Sequence, residues 1–483
     1  MSRFLQTRIV FVFILALGLF AMAARPVTDP DVWWHLKTGE LILQTHHIFH
    51  TDPYSFTRAG QLWINHEWLS EVFMYGVYQL TSYAGLIILF AAITAAAFFL
   101  AYLRCSGPTY LAALFTVWGA AASASTWGVR PQILSLLLTS VFLLVLDRSF
   151  LRPKLLWWLP PLTLLWVNLH AGYAIGVGLI ALFLLGTLLD AFFGFEKWPA
   201  IIPQIKHFGF VLLVCVAVVP LNPNGVRMYS YPWQTLSSRA MQQYIQEWAS
   251  PNFHQALYLP LLLMILALFA ALAFSPKLLR PLDLLLLAVT LFGALRSVRH
   301  IPIFILVAVP ILSRLLAAIL QQWDQSGKAE LRSSGKLALN AIIILCVAAF
   351  ALTRVNSVIR SQPQAEAENS PAAAVNFVIA THPPAPILNH YNWGGYFIWK
   401  LYPQYKVFVD GRADVYGDDF LNRLADIYYL KNNWQQEFAA TKVCTVMLPP
   451  DAPLITALRA KTDWKKIYSD QYSVVLTRTA NCP

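Results

Sequence analysis

The sequence predicts a mainly helical, polytopic membrane bundle of about eleven spanning helices, with a small C-terminal α/β domain. Three observations carry that expectation. Of 483 residues, 58% are hydrophobic and only 12% are charged, whereas a soluble domain is about 25% charged. Mean hydropathy is +0.54. Apolar runs of near-spanning length recur up to residue 355, and the composition then turns polar.

The first run, Ile9–Ala24, follows Arg3 and Arg8. Ala21-Met22-Ala23 has the small-x-small form of a signal cleavage site. The run is long for a signal core and many spans follow it, so an uncleaved helix is expected. Later runs cover roughly 83–104, 109–127, 131–147, 155–170, 172–194, 207–221, 255–275, 281–296, 300–320 and 337–355. Pro160-Pro161 should kink one of them.

A net charge of +11 suits a polytopic membrane protein, whose basic residues gather in cytoplasmic loops against anionic lipid, and no nucleic-acid partner is expected. With the N-terminus inside, alternation assigns Arg104, Arg148, Arg152, Lys154, Lys197, Lys206, Lys277, Arg280, Lys328, Arg332 and Lys336 to inner connections. The outer ends then receive the 25–82 loop, Arg130, Asn168, His170, the 222–254 loop and the turn Arg296-Ser297-Val298-Arg299-His300. Polar groups at membrane depth are costly and usually functional. Their convergence on one face points to extracytoplasmic chemistry.

These assignments give a membrane domain over 1–355, a polar, Pro/Ala-rich linker over 356–385, and an α/β domain over 386–483 outside the membrane. Strands are expected at Ile387-Leu388, Val407–Val409, Val443–Leu448 and Tyr472–Leu476. Helices are expected at Trp393–Leu401, Asp418–Leu430, Trp434–Thr441 and Ala452–Ala460. The five cysteines form no C-x-x-C pair. Cys105, Cys215 and Cys346 read as small apolar residues, and a Cys444–Cys482 disulfide is left open.

The densest group of ionisable residues is the stretch 29–68, with Asp29, Asp31, His35, Asp52, His66 and Glu67 interleaved with Trp33, Trp34, Trp63 and Trp68. Asp29 and Asp31 flank Pro30, which favours an extended or turn backbone at Asp29. The pair reads either as a helix N-cap or as a carboxylate that takes a proton from an acceptor. Asp52 before Pro53 reads as a cap or turn. Asp29, Asp31 and His35 would be the ligands of a divalent cation, Mg or Mn, if one is used. Structural hydrogen bonding is the favoured reading of His35, His66 and Glu67. The tryptophans read first as an interfacial belt and second as sugar-stacking surfaces. Arg130, Arg296, Arg299 and His300 suit an anion, because guanidinium matches phosphate oxygens bidentately. The rival reading of Arg130 is snorkelling. Asn168 and His170 are supporting candidates, and Asn222-Pro223-Asn224-Gly225 is a turn signal. In the C-terminal domain, Asn392, Trp393, Tyr396, Asp410 and Arg412 either form tight turns or recognise an acceptor.

An N-terminal span, a long outer loop carrying D-P-D, many further spans and an outer C-terminal domain together resemble the GT-C superfamily of polyprenyl-phosphate-dependent glycosyltransferases. The patterns D-P-D-x-W-W-H-L-x-x-G, D-P-Y-S-F and H-E-W-L are similar to those of bacterial lipopolysaccharide-core glycosyltransferase-like proteins. Asn392-Trp393-Gly394-Gly395-Tyr396 is similar to the W-W-D-Y-G motif of oligosaccharyltransferase catalytic subunits, with Gly394 where that motif has its acid. The resemblance implies an inverting transferase in the bacterial cytoplasmic membrane, using a polyprenyl-phosphate sugar donor, with Asp29 or Asp31 as base or metal ligand. The alternatives are a flippase for a lipid-linked glycan and a non-catalytic envelope-assembly protein.

Overall fold

The computed structural model describes residues 7–276, 278–323, 334–479 and 482. Arg3, Lys277, Lys328 and Arg332 of the charge pattern lie outside the described residues. Two compact units emerge, each assembled from three separate stretches of chain.

The first unit comprises residues up to Arg25, Ile87–Asn222 and Gln246–Ile359. It is all helical, as backbone in hydrocarbon must be, because every N–H and C=O needs an internal partner there. Each of the eleven apolar runs coincides with a helix. Among the described residues, seven helices are long and apolar enough to cross a membrane. The others include Thr109–Ser123, Leu159–Leu169 and Pro281–Arg296, which are shorter. Small residues let helices approach closely. A methyl group at Gly119 would stand 2.5 Å from Val309, and one at Gly186 would stand 2.4 Å from Leu282. Ion pairs join the helix ends in the groups that alternation predicts. Arg104 meets Asp147, Arg280 meets Asp190 and Arg314 meets Asp283, all at ends assigned to one side. Arg130 and Arg299 each meet Glu247 at ends assigned to the other.

Pro26–Leu86, Pro223–Ile245 and Arg360–Pro483 make up the second unit. Of the two loops expected outside the membrane, 26–82 and 223–245 thus cluster with the C-terminal region, while 246–254 belongs to the first unit. Its sheet has the order β1 (Ile387–Asn389), β2 (Thr445–Leu448), β4 (Val474–Arg478), β3 (Trp464–Ser469). β1 runs parallel to β2, and the other pairings are antiparallel. The 356–385 linker is helical through Asn369 and again over Ala372–Thr381. Four local expectations are corrected. Val407–Val409 is not a strand, although Val407 bridges to Ser55. β3 escaped notice because W-K-K-I-Y-S is an edge strand whose lysines face solvent. The expected span at 83–104 is the later part of one helix, Trp68–Tyr102, broken at Ser82 (φ 55°). The helix expected from Asp418 begins at Ala413 and is broken at Gly417 (φ 72°). Cys444 and Cys482 are disulfide-bonded, tying the C-terminus to the residue before β2.

Candidate functional site

In the second unit, three motifs far apart in sequence are pressed together. Asp29 Oδ1 accepts the Asp31 backbone N–H at 3.0 Å, forming the turn that Pro30 favours. Asp31 opens the Val32–Thr45 helix, yet its side chain makes no capping bond. Its Oδ1 accepts instead from Trp34 Nε1 at 3.0 Å. The capping reading therefore does not account for this half-buried carboxylate.

Glycine backbone packs around the same segment. A Cβ at Gly411 would lie 1.7 Å from Asp31 Oδ1, and one at Gly395 would lie 2.3 Å from the Pro30 carbonyl. At Gly394 it would meet the Val409 carbonyl at 2.2 Å. D-P-D, G-G and D-G-R thus interlock at glycines where an added Cβ would strike backbone, at Gly394 and Gly395, or displace the Asp31 carboxylate, at Gly411.

Arg412 anchors the D-G-R turn from below. It is 2% exposed, beside Asp410 at 0% and Asp52 at 3%. Its Nη2 lies 2.7 Å from both carboxylates, and its Nε donates to Asp410 Oδ1 at 2.8 Å. The guanidinium also faces the rings of Tyr54 and Trp63, at 4.9 and 4.6 Å. Burial opposes its charge, but Asp410 and Asp52 outweigh this and hold the pKa well above the ordinary arginine value. Tyr416 donates to Asp410 at 2.8 Å. Asp52 accepts the Tyr54 and Ser55 N–H groups as well, so it is both a turn residue and an ion partner. Asp410 and Arg412 are consequently internal to the unit. Burial corrects the expectation that they touch an acceptor.

A second charged group adjoins Trp34, whose ring lies 3.6 Å from that of His35. His35 Nε2 faces Glu67 at 3.7 Å and its Nδ1 faces Glu71 at 3.5 Å. Glu71 accepts from Asn65 Nδ2 at 2.8 Å. Glu67 also faces His66 Nε2 at 3.6 Å. The His66 ring lies on Tyr231 at 4.3 Å, and the Tyr231 hydroxyl donates to Asp414 at 3.3 Å. For both histidines burial disfavours the charged form, but the neighbouring carboxylates prevail and raise the pKa. Burial likewise raises that of Asp414, against the pull of His66 and Arg412.

Among the described residues, no group of three or more His, Cys, Asp or Glu side chains is arranged to hold a metal ion. The expected Asp29–Asp31–His35 set is not assembled, because the imidazole nitrogens face Glu67 and Glu71. The tryptophan belt is corrected too. Trp33, Trp34 and Trp63 are buried inside this unit, and Trp33 packs edge-on against Tyr396 at 5.1 Å. Trp393 is buried, Asn392 is exposed, and the Tyr396 hydroxyl donates to Glu366 at 3.0 Å.

The first unit holds a separate polar group. Arg130 donates to Glu247 and, at 2.9 Å, to Gln132. Arg299 Nη1 faces the other Glu247 oxygen at 3.5 Å, its Nε donates to Gln132 at 3.2 Å, and its guanidinium faces Trp248 at 5.1 Å. Two guanidiniums thus share one carboxylate and leave a net positive charge. Burial works against the Glu247 charge, but Arg299 and Arg130 outweigh it and lower the pKa. Arg296 is exposed, and its carbonyl accepts from Ser250. The His300 ring lies 6.2 Å from that of Trp248. His170 Nδ1 meets Ser135 Oγ at 2.8 Å, while Asn168 is bridged by Asn222 at 3.5 Å.

Glu247, Glu71 and Tyr231 were missed from the sequence. For Glu247 a signal existed, since it is the only acid in 222–254. Glu71 stands four residues after Glu67 at the start of a helix, where an acid reads as dipole compensation. Nothing in the sequence marks Tyr231.

No protein-family model and no curated protein matches the sequence. Solved structures do match. The archaeal oligosaccharyltransferase AglB from Archaeoglobus fulgidus, in complex with an inhibitory peptide and a dolichol-phosphate, is similar with a TM-score of 0.55 and 11% identity, over 90% of this chain and 68% of that one. The apo form of the Archaeoglobus fulgidus oligosaccharyltransferase gives 0.52 and 12%, over 91% and 69%. ArnT from Cupriavidus metallidurans bound to undecaprenyl phosphate aligns over 98% of each chain at a TM-score of 0.47 and 11% identity. The chain has the fold of the archaeal oligosaccharyltransferase structures.

Proposed function

We propose that this protein is an inverting membrane glycosyltransferase, which moves a sugar from a polyprenyl-phosphate-linked donor to an envelope lipid, glycan or protein at the outer face of the bacterial cytoplasmic membrane. The observation that carries the reading is the Asp31 carboxylate. It is half-buried, oriented by Trp34 and wedged against Gly411, and its helix-capping role is unused. A positioned carboxylate suits general-base work. Asp31 takes the proton of the acceptor hydroxyl as that oxygen bonds to the anomeric carbon. The carbon–oxygen bond to the donor phosphate breaks, and its electron pair leaves with the phosphate. Asp29 holds the turn that presents Asp31.

Arg130 and Arg299 are assigned to the phosphate of the lipid carrier. Sharing Glu247 keeps both in place and leaves positive charge for an anion. The fold supports the assignment by analogy, since the similar AglB structure is a complex with a dolichol-phosphate. The Cys444–Cys482 bond supports an outward-facing C-terminal region, because such bonds persist in oxidising compartments.

The test is transfer in proteoliposomes, using a panel of radiolabelled polyprenyl-phosphate sugars with extracted envelope material as acceptor. Asp31→Asn should abolish transfer and leave donor binding intact. Full activity in both Asp29→Asn and Asp31→Asn would overturn the assignment.

A further inference from the structure

The helix Arg227–Ser237 presents three distinct faces. Met228 and Tyr231 are buried on the first, where Tyr231 covers His66 and reaches Asp414. A second face carries Arg227, Ser230, Gln234 and Ser237, all exposed. The third carries large apolar groups in the open. Val226 just before the helix is 71% exposed, Trp233 73%, Tyr229 48% and Leu236 47%. Their spacing of three, four and three residues draws one stripe along a helix. Elsewhere in this unit, exposed large apolar residues are scattered, which is ordinary for a surface and needs no explanation.

We propose that this helix lies in the lipid–water interface, with Val226, Tyr229, Trp233 and Leu236 in the acyl boundary and Arg227 at the level of the lipid phosphates. Two observations select lipid over another protein. Only residues 222–226 separate the helix from the end of the Trp198–Leu221 span, and five residues reach at most about 18 Å. The helix is therefore tethered at the membrane surface. Trp and Tyr beside a basic, polar flank is the composition of an interfacial helix. The bilayer then grips one side of an element whose other side covers the His66–Asp414 pair.

The experiment uses the full chain in liposomes, with Cys105, Cys215 and Cys346 replaced by alanine and the disulfide retained. A fluorescent label is placed at Trp233→Cys, Leu236→Cys, Ser230→Cys or Gln234→Cys. Phospholipids with a nitroxide high on the acyl chain should quench the labels at 233 and 236 several-fold more than those at 230 and 234. Aqueous iodide should show the reverse order. Equal quenching at all four positions would overturn the proposal. So would labels at 233 and 236 shielded from both quenchers, because a second copy or another protein would then cover the stripe.

Discussion

Gly411→Ala separates positioning from stability. The added Cβ would fall 1.7 Å from Asp31 Oδ1 and 2.8 Å from its Cγ. Contacts below 3.0 Å are essentially never seen, so the carboxylate must retreat by more than 1 Å. It can do so, because it ends a side chain, but it gives up the Trp34 Nε1 bond. A hydrogen bond to a charged group contributes about 1.5–3 kcal/mol, and Gly→Ala in the unfolded chain offsets about 0.4–1 kcal/mol. The expected loss of stability is therefore about 1–2 kcal/mol. A 1 Å misplacement of a reacting group can cost about a hundredfold in rate. Thermal unfolding in detergent should thus shift by a few degrees while transfer falls about a hundredfold. Gly394→Ala is the contrast, because it strikes the Val409 carbonyl and the Asp410 Cα, backbone atoms that cannot rotate away. It should unfold the unit before any rate is measured. If Gly411→Ala transfers at the parental rate while Asp31→Asn is inactive, the reasoning from this contact to Asp31 geometry is wrong.

Arg412→Ala should lower stability by about 3–5 kcal/mol, because it strands the buried Asp52 and Asp410 carboxylates. A double-mutant cycle with Asp52→Asn, read by denaturant unfolding, should show strong coupling, and additive losses would contradict it. The pH dependence has two limbs. The Glu247 pKa is lowered on folding from 4.5, so its contribution is full above pH 4.5 and is lost as pH falls through the folded value. His66 is raised from 6.5, so its contribution is full below pH 6.5 and is lost as pH rises through the folded value. In melting curves across pH, Glu247→Gln should flatten the acid limb and His66→Asn the alkaline one. Cys482→Ser opens a bond of sequence separation 38 and should cost about 3–4 kcal/mol. Thiol titration of the unfolded, unreduced parent should find only Cys105, Cys215 and Cys346.

The bundle was legible because each span must satisfy its own backbone, and that requirement leaves an apolar run of readable length. Alternation of charge then sorted Arg130 and Arg299 to one end, where Glu247 joins them. Asp31 stood out because acids are rare in so apolar a chain. Its neighbours did not stand out, since Gly411 contributes by lacking a side chain and lies 380 residues away. Arg412 read as a turn residue or an acceptor contact, because one sequence shows no sign that Asp52 would pair with it. The linker was given no secondary structure from its Pro and Ala content, yet alanine favours helix and Pro363 is tolerated within one.

The interlock of D-P-D with G-G and D-G-R also sets an order of events during synthesis. Residues 26–86 leave the ribosome early, while the glycines and Arg412 that complete their packing follow roughly 300 residues later. At about 5–20 residues per second, that is an interval of about 15–60 s. Throughout it Asp52 lacks its guanidinium, and Trp33 and Trp63 lack the partners that cover them. The first loop must therefore persist as an open, aromatic-rich segment until the end of the chain arrives. A chain truncated before Ile387 would leave it open for good, even with every span in place.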